Sequence, residues 1–213
     1  MKRKSAVAAV VCVLAACCRV PLSGQAMDSL AMPQEFFLNM RQPPDLVLKT
    51  IGIKPGMAIG EVGAGRGRVA VQIASRIGPT GRLYANDVDQ AALQFLEKRC
   101  ARSGWSHVKT VLGTVTDPKL PAGELDMVVM VNVVHCLEKP VELLRAIGSS
   151  LKPGGKIVIV EGNLDKDPSA AGEWFSRSKL LTIYQDAGYV LDREETFLPK
   201  DNIYFLAKNN PAK

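Results

Sequence analysis

The stretch Met57-Ala58-Ile59-Gly60-Glu61-Val62-Gly63-Ala64-Gly65-Arg66-Gly67-Arg68 decides how this chain is to be read. An apolar run leads into alternating glycines at Gly63, Gly65 and Gly67, and Val69, Ile73 and Ile77 then recur at helical spacing. The pattern is strand, glycine turn, helix. Glycines allow a tight turn and let the backbone come close to a ligand, because no Cβ stands in the way. The free N–H groups at the start of the helix face the same ligand. Glu61, at the end of the strand, suits a ligand that carries positive charge. A glycine turn that binds nothing is the bland alternative, but turns rarely need three alternating glycines.

The glycine spacing is informative. A dinucleotide fingerprint, G-x-G-x-x-G, needs its third glycine at position 68, which is Arg68. A nicotinamide-dependent oxidoreductase is therefore the poorer reading of this turn.

The chain begins with what reads as a targeting segment. Lys2, Arg3 and Lys4 form a charged start, and Ala6 to Ala16 is an apolar run too short to span a bilayer comfortably as a helix. Small residues at Gly24-Gln25-Ala26 offer a cleavage site. Leu14-Ala15-Ala16-Cys17 resembles a bacterial lipobox, in which Cys17 is lipidated and becomes the first mature residue. The expectation is an exported protein, periplasmic or lipid-anchored at the envelope. A start at Met27 or Met32, which would leave the protein cytoplasmic, and an uncleaved anchor are the other options. Residues 1–26 hold Lys2, Arg3, Lys4 and Arg19 and no acid, so the net charge of +6 falls to +2 without them. The basic balance is thus largely a property of the leader, and no nucleic-acid partner is expected. Of five cysteines, Cys12, Cys17 and Cys18 lie in the leader. Cys100 and Cys136 alone make neither a disulfide framework nor a metal motif, and no metal is expected.

Beyond the leader, residues 27–45 read as a helical lid segment and residues 46–213 as one domain. Met27 to Gln42 forms a short amphipathic helix broken by Pro43-Pro44. Asp45 to Ile51 is a helix with Leu46, Val47 and Ile51 inward, ended by Gly52. After the glycine turn, strands at Arg82–Asn86, Val108–Leu112, Leu125–Val134 and Lys156–Val160 alternate with helices at Gln90–Arg102, Pro140–Leu151 and Gly172–Ala187. Leu125–Val134 is apolar throughout its centre, as a strand buried on both faces should be. Val190–Phe197 and Ile203–Ala207, joined by a short polar stretch, are expected to pair antiparallel. The alternation predicts an α/β, Rossmann-like, doubly wound sheet of seven strands, mostly parallel with one antiparallel strand near the C-terminus.

Five elements in this order resemble the class I S-adenosylmethionine-dependent methyltransferases, from about Leu46 to Lys208. They are Glu61-x-Gly63-x-Gly65-x-Gly67, Asp87 at the end of the second strand, Leu112-Gly113-Thr114-Val115, Asp126 to Leu137, and Leu151-Lys152-Pro153-Gly154-Gly155. The resemblance implies S-adenosylmethionine as cofactor, held by Glu61, Gly63, Ala64, Gly65, Asp87, Val88, Gly113, Thr114 and Asn132. Asp87 would accept hydrogen bonds from ribose hydroxyls, with Asp89 the better cap for the next helix. Many members carry Gly-Asp where this chain has Gly113-Thr114, which leaves Asp117 as a substitute contact to the adenine or as an ordinary turn residue.

The resemblance further implies a methyltransferase whose acceptor is a small molecule. The N-methyltransferase pattern Asp/Asn-Pro-Pro-Tyr/Phe is absent, since Asn132 is followed by Val133-Val134-His135. His135 is the candidate general base, required if the acceptor must lose a proton; a histidine packed under the sheet edge is the alternative. Glu161 is a second candidate or a surface carboxylate. Cys136 reads as an inert core thiol, and Trp174, Phe175 and Tyr184 as helix packing. A protein carboxyl methyltransferase, or an exported or tethered module that binds the cofactor without turnover, remain as rival readings.

Overall fold

The computed structural model describes residues 33–209. The expected targeting segment, with Cys17 and the cleavage site at Ala26, lies outside these residues. Two short helices come first, α1 (Pro33–Arg41) and α2 (Pro44–Ile51). Strand β1 (Ala58–Val62) is followed by α3 (Arg68–Ile77), β2 (Arg82–Asp87), α4 (Gln90–Arg102), β3 (Val108–Leu112), β4 (Leu125–Val131), α5 (Pro140–Ile147) and β5 (Leu151–Gly162). Helix α6 (Arg177–Asp186) and strands β6 (Tyr189–Glu195) and β7 (Asp201–Lys208) complete the chain.

The strands form one seven-stranded sheet in the order β3-β2-β1-β4-β5-β7-β6. The first five pair in parallel, and β7 runs antiparallel to both of its neighbours, β5 and β6. The expected sheet, with its one antiparallel strand, is the sheet observed. Side chains alternate across the pleat. On β4, Met127 and Val129 pack with α2, α3 and α4, whereas Val128 and Met130 pack with α5 and α6. Both faces are therefore covered, as a parallel sheet requires.

Several expectations need correction. Leu46 points outward, and Leu48 takes its place beside Val47 and Ile51 in the core. Strand β4 stops at Val131, because Asn132 adopts a left-handed backbone with φ 56° and the chain then turns through a 3-10 segment, Val134–Cys136. The Lys-Pro-Gly-Gly stretch is not a turn ahead of β5 but an irregularity within it: Leu125 pairs with Leu151, and Met127 already pairs with Lys156. Helix α6 begins only at Arg177, where the Ser176 hydroxyl accepts the Lys179 N–H and caps it. Trp174 and Phe175 thus lie in the preceding loop rather than on the helix.

Helix α1 is joined to the body by polar groups. Arg99 of α4 holds Glu35 in a bidentate pair at 2.8 and 3.2 Å, with the Arg99 side chain only 1% exposed. Breaking a buried pair from one side leaves a desolvated charge behind. Glu35→Ala is therefore expected to cost about 3 kcal/mol of unfolding free energy in urea titrations. Hydrogen exchange should show the loss concentrated in α1, and a wild-type denaturation curve for this variant would contradict the pair's role.

Candidate functional site

The carboxyl ends of β1, β2, β3, β4 and β5 gather at one edge of the sheet, the edge at which open α/β sheets bind ligands. At the end of β1, the N–H groups of Gly63 and Ala64 both donate to the carbonyl of Asn86, which ties the glycine turn to β2. Gly63 has φ 79°, and a Cβ there would overlap the Val133 side chain. Gly65 differs: it has φ 53°, and a Cβ there would meet nothing within 4 Å. The turn thus packs tightly on one side and leaves open space on the other. Helix α3 starts with no side-chain cap and no acid in its first turn, so its leading N–H groups are not taken by a side chain.

Glu61 is 2% exposed, and its Oε2 is buried without a hydrogen-bond partner. Burial pushes its carboxyl up to about 8, against the pull of Arg68. Asp87 closes β2. One of its oxygens accepts the Gly65 N–H at 2.7 Å and the other accepts the Asp89 N–H at 2.9 Å. Asp89 caps α4 through Ala91 and Ala92, as the sequence predicted, which leaves Asp87 free of that duty. The next residue, Val88, is 58% exposed.

At the end of β3, Gly113 donates its N–H to the Asp87 carbonyl, placing it beside Asp87 and Val88. A side chain at Gly113 would overlap Asn86, whose buried amide donates to Val111 and Pro118. The Thr114 hydroxyl accepts the N–H of Asp117, and the Asp117 carboxylate accepts the N–H of Lys119. Both side chains hold the turn, with one Asp117 oxygen engaged in it.

At the end of β4, His135 Nδ1 is 2.7 Å from Glu161 Oε1. Glu161 is fully buried, not a surface carboxylate, and it also accepts the N–H groups of Val133, Val134 and Gly162. The hydrogen bond to Glu161 raises the His135 pKa above its ordinary value, with burial opposing. Cys136 is exposed rather than part of the core, and partial burial together with the Glu161 charge raises its thiol pKa.

Asn132 turns toward α1. Its Oδ1 accepts from Arg41 Nη2 at 3.0 Å and Gln42 Nε2 at 2.9 Å, and its amide donates to Gln42 Oε1. Asp201, fully buried at the start of β7, accepts from the same two donors. Arg68, the first residue of α3, donates to Asn39 and Gln42. Arg41 also lies over the Trp174 ring, 4.8 Å from its centroid. Trp174 in turn packs against Gly162, where a Cβ would overlap its ring. Beside this stack opens a cleft of about 520 Å³, lined by Phe37, Met40 and Arg41 of α1 and by Asp167, Ser169, Ala170, Glu173, Trp174, Pro199 and Lys200.

The structure brings Glu61, Gly63, Ala64, Gly65, Asp87, Val88 and Gly113 together around β1 and β2. Asn132 and His135 stand at the neighbouring strand end. Two groups of residues escape the sequence reading. The role of Glu161 as the partner of His135 carried one signal, an acid that closes the apolar run Ile157–Val160. Arg41, Gln42 and Asp201 carried none, since their meeting depends on the topology.

These residues fit the cofactor that the resemblance implies. The unpartnered Glu61 oxygen can receive a cationic group, the space over Gly65 admits a backbone-close ligand, and each Asp87 oxygen retains a lone pair for a hydroxyl. The exposed Val88 offers an apolar surface to a base.

Residues 59–155 match the family model described as a methyltransferase domain. Over 135 residues the chain is 30% identical to the ubiquinone/menaquinone biosynthesis C-methyltransferase UbiE of Bordetella parapertussis, a match covering 60% of this chain and 50% of that protein. Over 82 residues it is 33% identical to nocamycin O-methyltransferase of Saccharothrix syringae, covering 38% of this chain and 29% of that protein. The matches therefore span half or less of these relatives' lengths. In fold it is similar to the crystal structure of a SAM-dependent methyltransferase from Aquifex aeolicus, with TM-score 0.73 and 22% identity over 81% of this chain and 96% of that one.

The buried Glu61 sets a pH dependence. Its folded pKa, about 8, lies above the ordinary 4.5. The folded state therefore holds a proton that the unfolded chain releases, and stability is lost as pH rises from 4.5 toward 8. Thermal melts of the ligand-free protein should show the melting temperature falling across this interval. Glu61→Gln should flatten the dependence, and an equal slope in the variant would assign it to another group.

Proposed function

We propose, from the premise that this chain belongs to the class I S-adenosylmethionine-dependent methyltransferases, that it transfers a methyl group to a small-molecule acceptor that loses a proton as it is methylated. The observation that carries this reading is the His135–Glu161 pair at the carboxyl end of β4. A methyl transfer to an atom without a proton needs no base. Here a fully buried carboxylate fixes a histidine by its Nδ1, which leaves Nε2 with the lone pair in the neutral ring. Such an arrangement orients a base, and a hydroxyl is the acceptor group it suits first.

S-adenosylmethionine, when bound, supplies a methyl group activated on a sulfonium sulfur. The residues of this chain hold, align and exclude water. The glycine turn would let the backbone approach the cofactor, Asp87 would accept hydrogen bonds from its ribose hydroxyls, Val88 and Gly113 would offer a surface to its base, and Glu61 would supply a carboxylate to its positive charge. His135 Nε2 takes the acceptor's proton, and Glu161 stabilises the imidazolium that results. Arg41 and Trp174 wall the acceptor side.

The leader adds a proposed location at the cell envelope, through cleavage after Ala26 or lipidation at Cys17. Mass spectrometry of the native N-terminus in an envelope fraction tests it, and a soluble cytosolic protein starting at Met27 would refute it.

Asp87→Ala is expected to weaken cofactor binding in calorimetry by about 1–3 kcal/mol, the cost of charge-assisted hydrogen bonds. Unchanged affinity would remove Asp87 from the site. Incubation with labelled methyl donor and metabolite extracts tests turnover, and His135→Gln should reduce kcat by about 10²–10⁴-fold while leaving cofactor affinity in place. Neutral His135 is the working form, so the rate should rise with pH through a pKa above the ordinary 6.5. Glu161→Gln should move that limb downward. A profile that does not move would dissociate Glu161 from the base.

A further inference from the structure

Helix α1 is inverted with respect to an ordinary surface helix. Three of its polar residues face the protein: Glu35 pairs with Arg99, Asn39 bonds Arg68, and Arg41 reaches Asn132 and Asp201, with Gln42 just past the helix also bonding Arg68. Its large apolar residues face away. Phe36 is 65% exposed, Phe37 70% and Met40 66%, within one arc of the helix, and the two rings meet edge to face at 5.6 Å. The buried polar contacts hold the helix in this orientation, so the apolar face cannot roll inward. A cluster of this kind on a soluble surface calls for an apolar partner.

We infer that this face of α1 seats on a lipid bilayer, and that the cleft beside it receives from that bilayer an amphipathic acceptor, with an apolar body and a polar head. Two observations select the bilayer as occupant. The apolar run Ala6–Ala16, flanked by Lys2, Arg3, Lys4 and Arg19, precedes Pro33 by sixteen residues. A link of that length reaches at most on the order of 50 Å when extended, so a leader held in or lipidated to the membrane keeps α1 close to its surface. The exposed area of the three side chains, roughly 400 Å², falls short of the ~800 Å² per partner that a stable dimer buries. It suits shallow insertion among headgroups, where aromatic side chains are favoured.

The cleft ties this surface to the site. Phe37 and Met40 belong both to the exposed face and to the cleft wall. The opposite wall carries Trp174, packed on Gly162, whose N–H bonds the same Glu161 that holds His135, and beside it the polar Asp167, Ser169, Glu173 and Lys200, which suit a polar head. A molecule dissolved in the bilayer therefore meets a lipid-facing mouth and an inner wall next to the candidate base. This second half rests on the methyltransferase reading, whereas the docking surface does not.

The test uses the full chain bound to phosphatidylethanolamine–phosphatidylglycerol vesicles, with acyl chains brominated at defined depths. Phe36→Trp and, separately, Phe37→Trp add an emitter at the proposed contact, read as the difference from the wild type with its own Trp105 and Trp174. The added emission should shift to the blue on vesicles and be quenched at least twofold by shallow bromines. Vesicle-bound protein whose added emission is not quenched overturns the docking surface. Two further results also overturn it: concentration-dependent dimers that Phe36→Ser dissolves, which make the face a contact between copies, and a blue shift already present in dilute monomer without vesicles, which places the leader on it. With labelled S-adenosylmethionine, vesicles that also carry a total membrane lipid extract, and a water-soluble metabolite extract beside them, labelled methyl recovered in the lipid phase supports the acceptor half, and label confined to the aqueous phase overturns it. Quenching without any methyl transfer would sustain the docking surface and refute the methyltransferase reading instead.

Discussion

The carboxylate of Glu161 has no access to water, and the end of the sheet is arranged around satisfying it. A buried ion loses several kcal/mol of hydration and survives only with well-placed partners. Here the partners are the N–H groups of Val133, Val134 and Gly162 and the ring of His135. Meeting this demand pulls the chain after β4 into a tight turn, through the left-handed backbone of Asn132. That turn sets the ring of His135, presents the Asn132 amide to α1, and presses Val133 against Gly63. One carboxylate thus links the glycine turn, the candidate base and the first helix.

The second organising feature is polar and joins distant parts of the chain. Arg68 follows the glycine turn directly, and its guanidinium connects Asn39 and Gln42 of the N-terminal segment to the helix that starts the cofactor cradle. Gln42 continues the path to Asn132 and Asp201. A ligand that draws charge onto Glu61 changes the field felt by Arg68, since the two are electrostatically coupled. The segment over the strand ends is therefore not a passive cover.

The sheet was legible because its determinants are local. Apolar runs bounded by glycine and proline marked the strands, helical spacing marked α3 and α4 to the residue, and Asp89 marked its own cap. The errors fell where tertiary demands override local pattern. β4 looked longer because Val133 and Val134 are apolar, but their N–H groups serve Glu161 and leave the ladder. Leu46 and Leu48 are equivalent on composition, and only the position of α3 decides which is buried. In α1 the apolar residues gave the helix but not its orientation, which is fixed by Arg99, Arg68 and Asp201 from far along the chain. The site divides in the same way. Glycine and acid spacing singled out the residues that the fold gathers around the ends of β1 and β2, whereas Arg41, Gln42 and Asp201 become neighbours only after folding.

The place of β7 has a consequence for the order in which the protein is made. This last strand is inserted between β5 and β6, and its first residue, Asp201, receives Arg41 and Gln42 from the opposite end of the chain. A nascent chain emerging N-terminus first has every residue of the glycine turn long before it has Asp201. Until β7 is released, β5 has an open edge and α1 lacks one of its anchors. The α1 segment is then free to meet whatever apolar surface lies nearby while synthesis continues. Completion of β7 thus supplies the last anchor of the segment over the strand ends, so the glycine turn is made first and the residue that fixes α1 above it last.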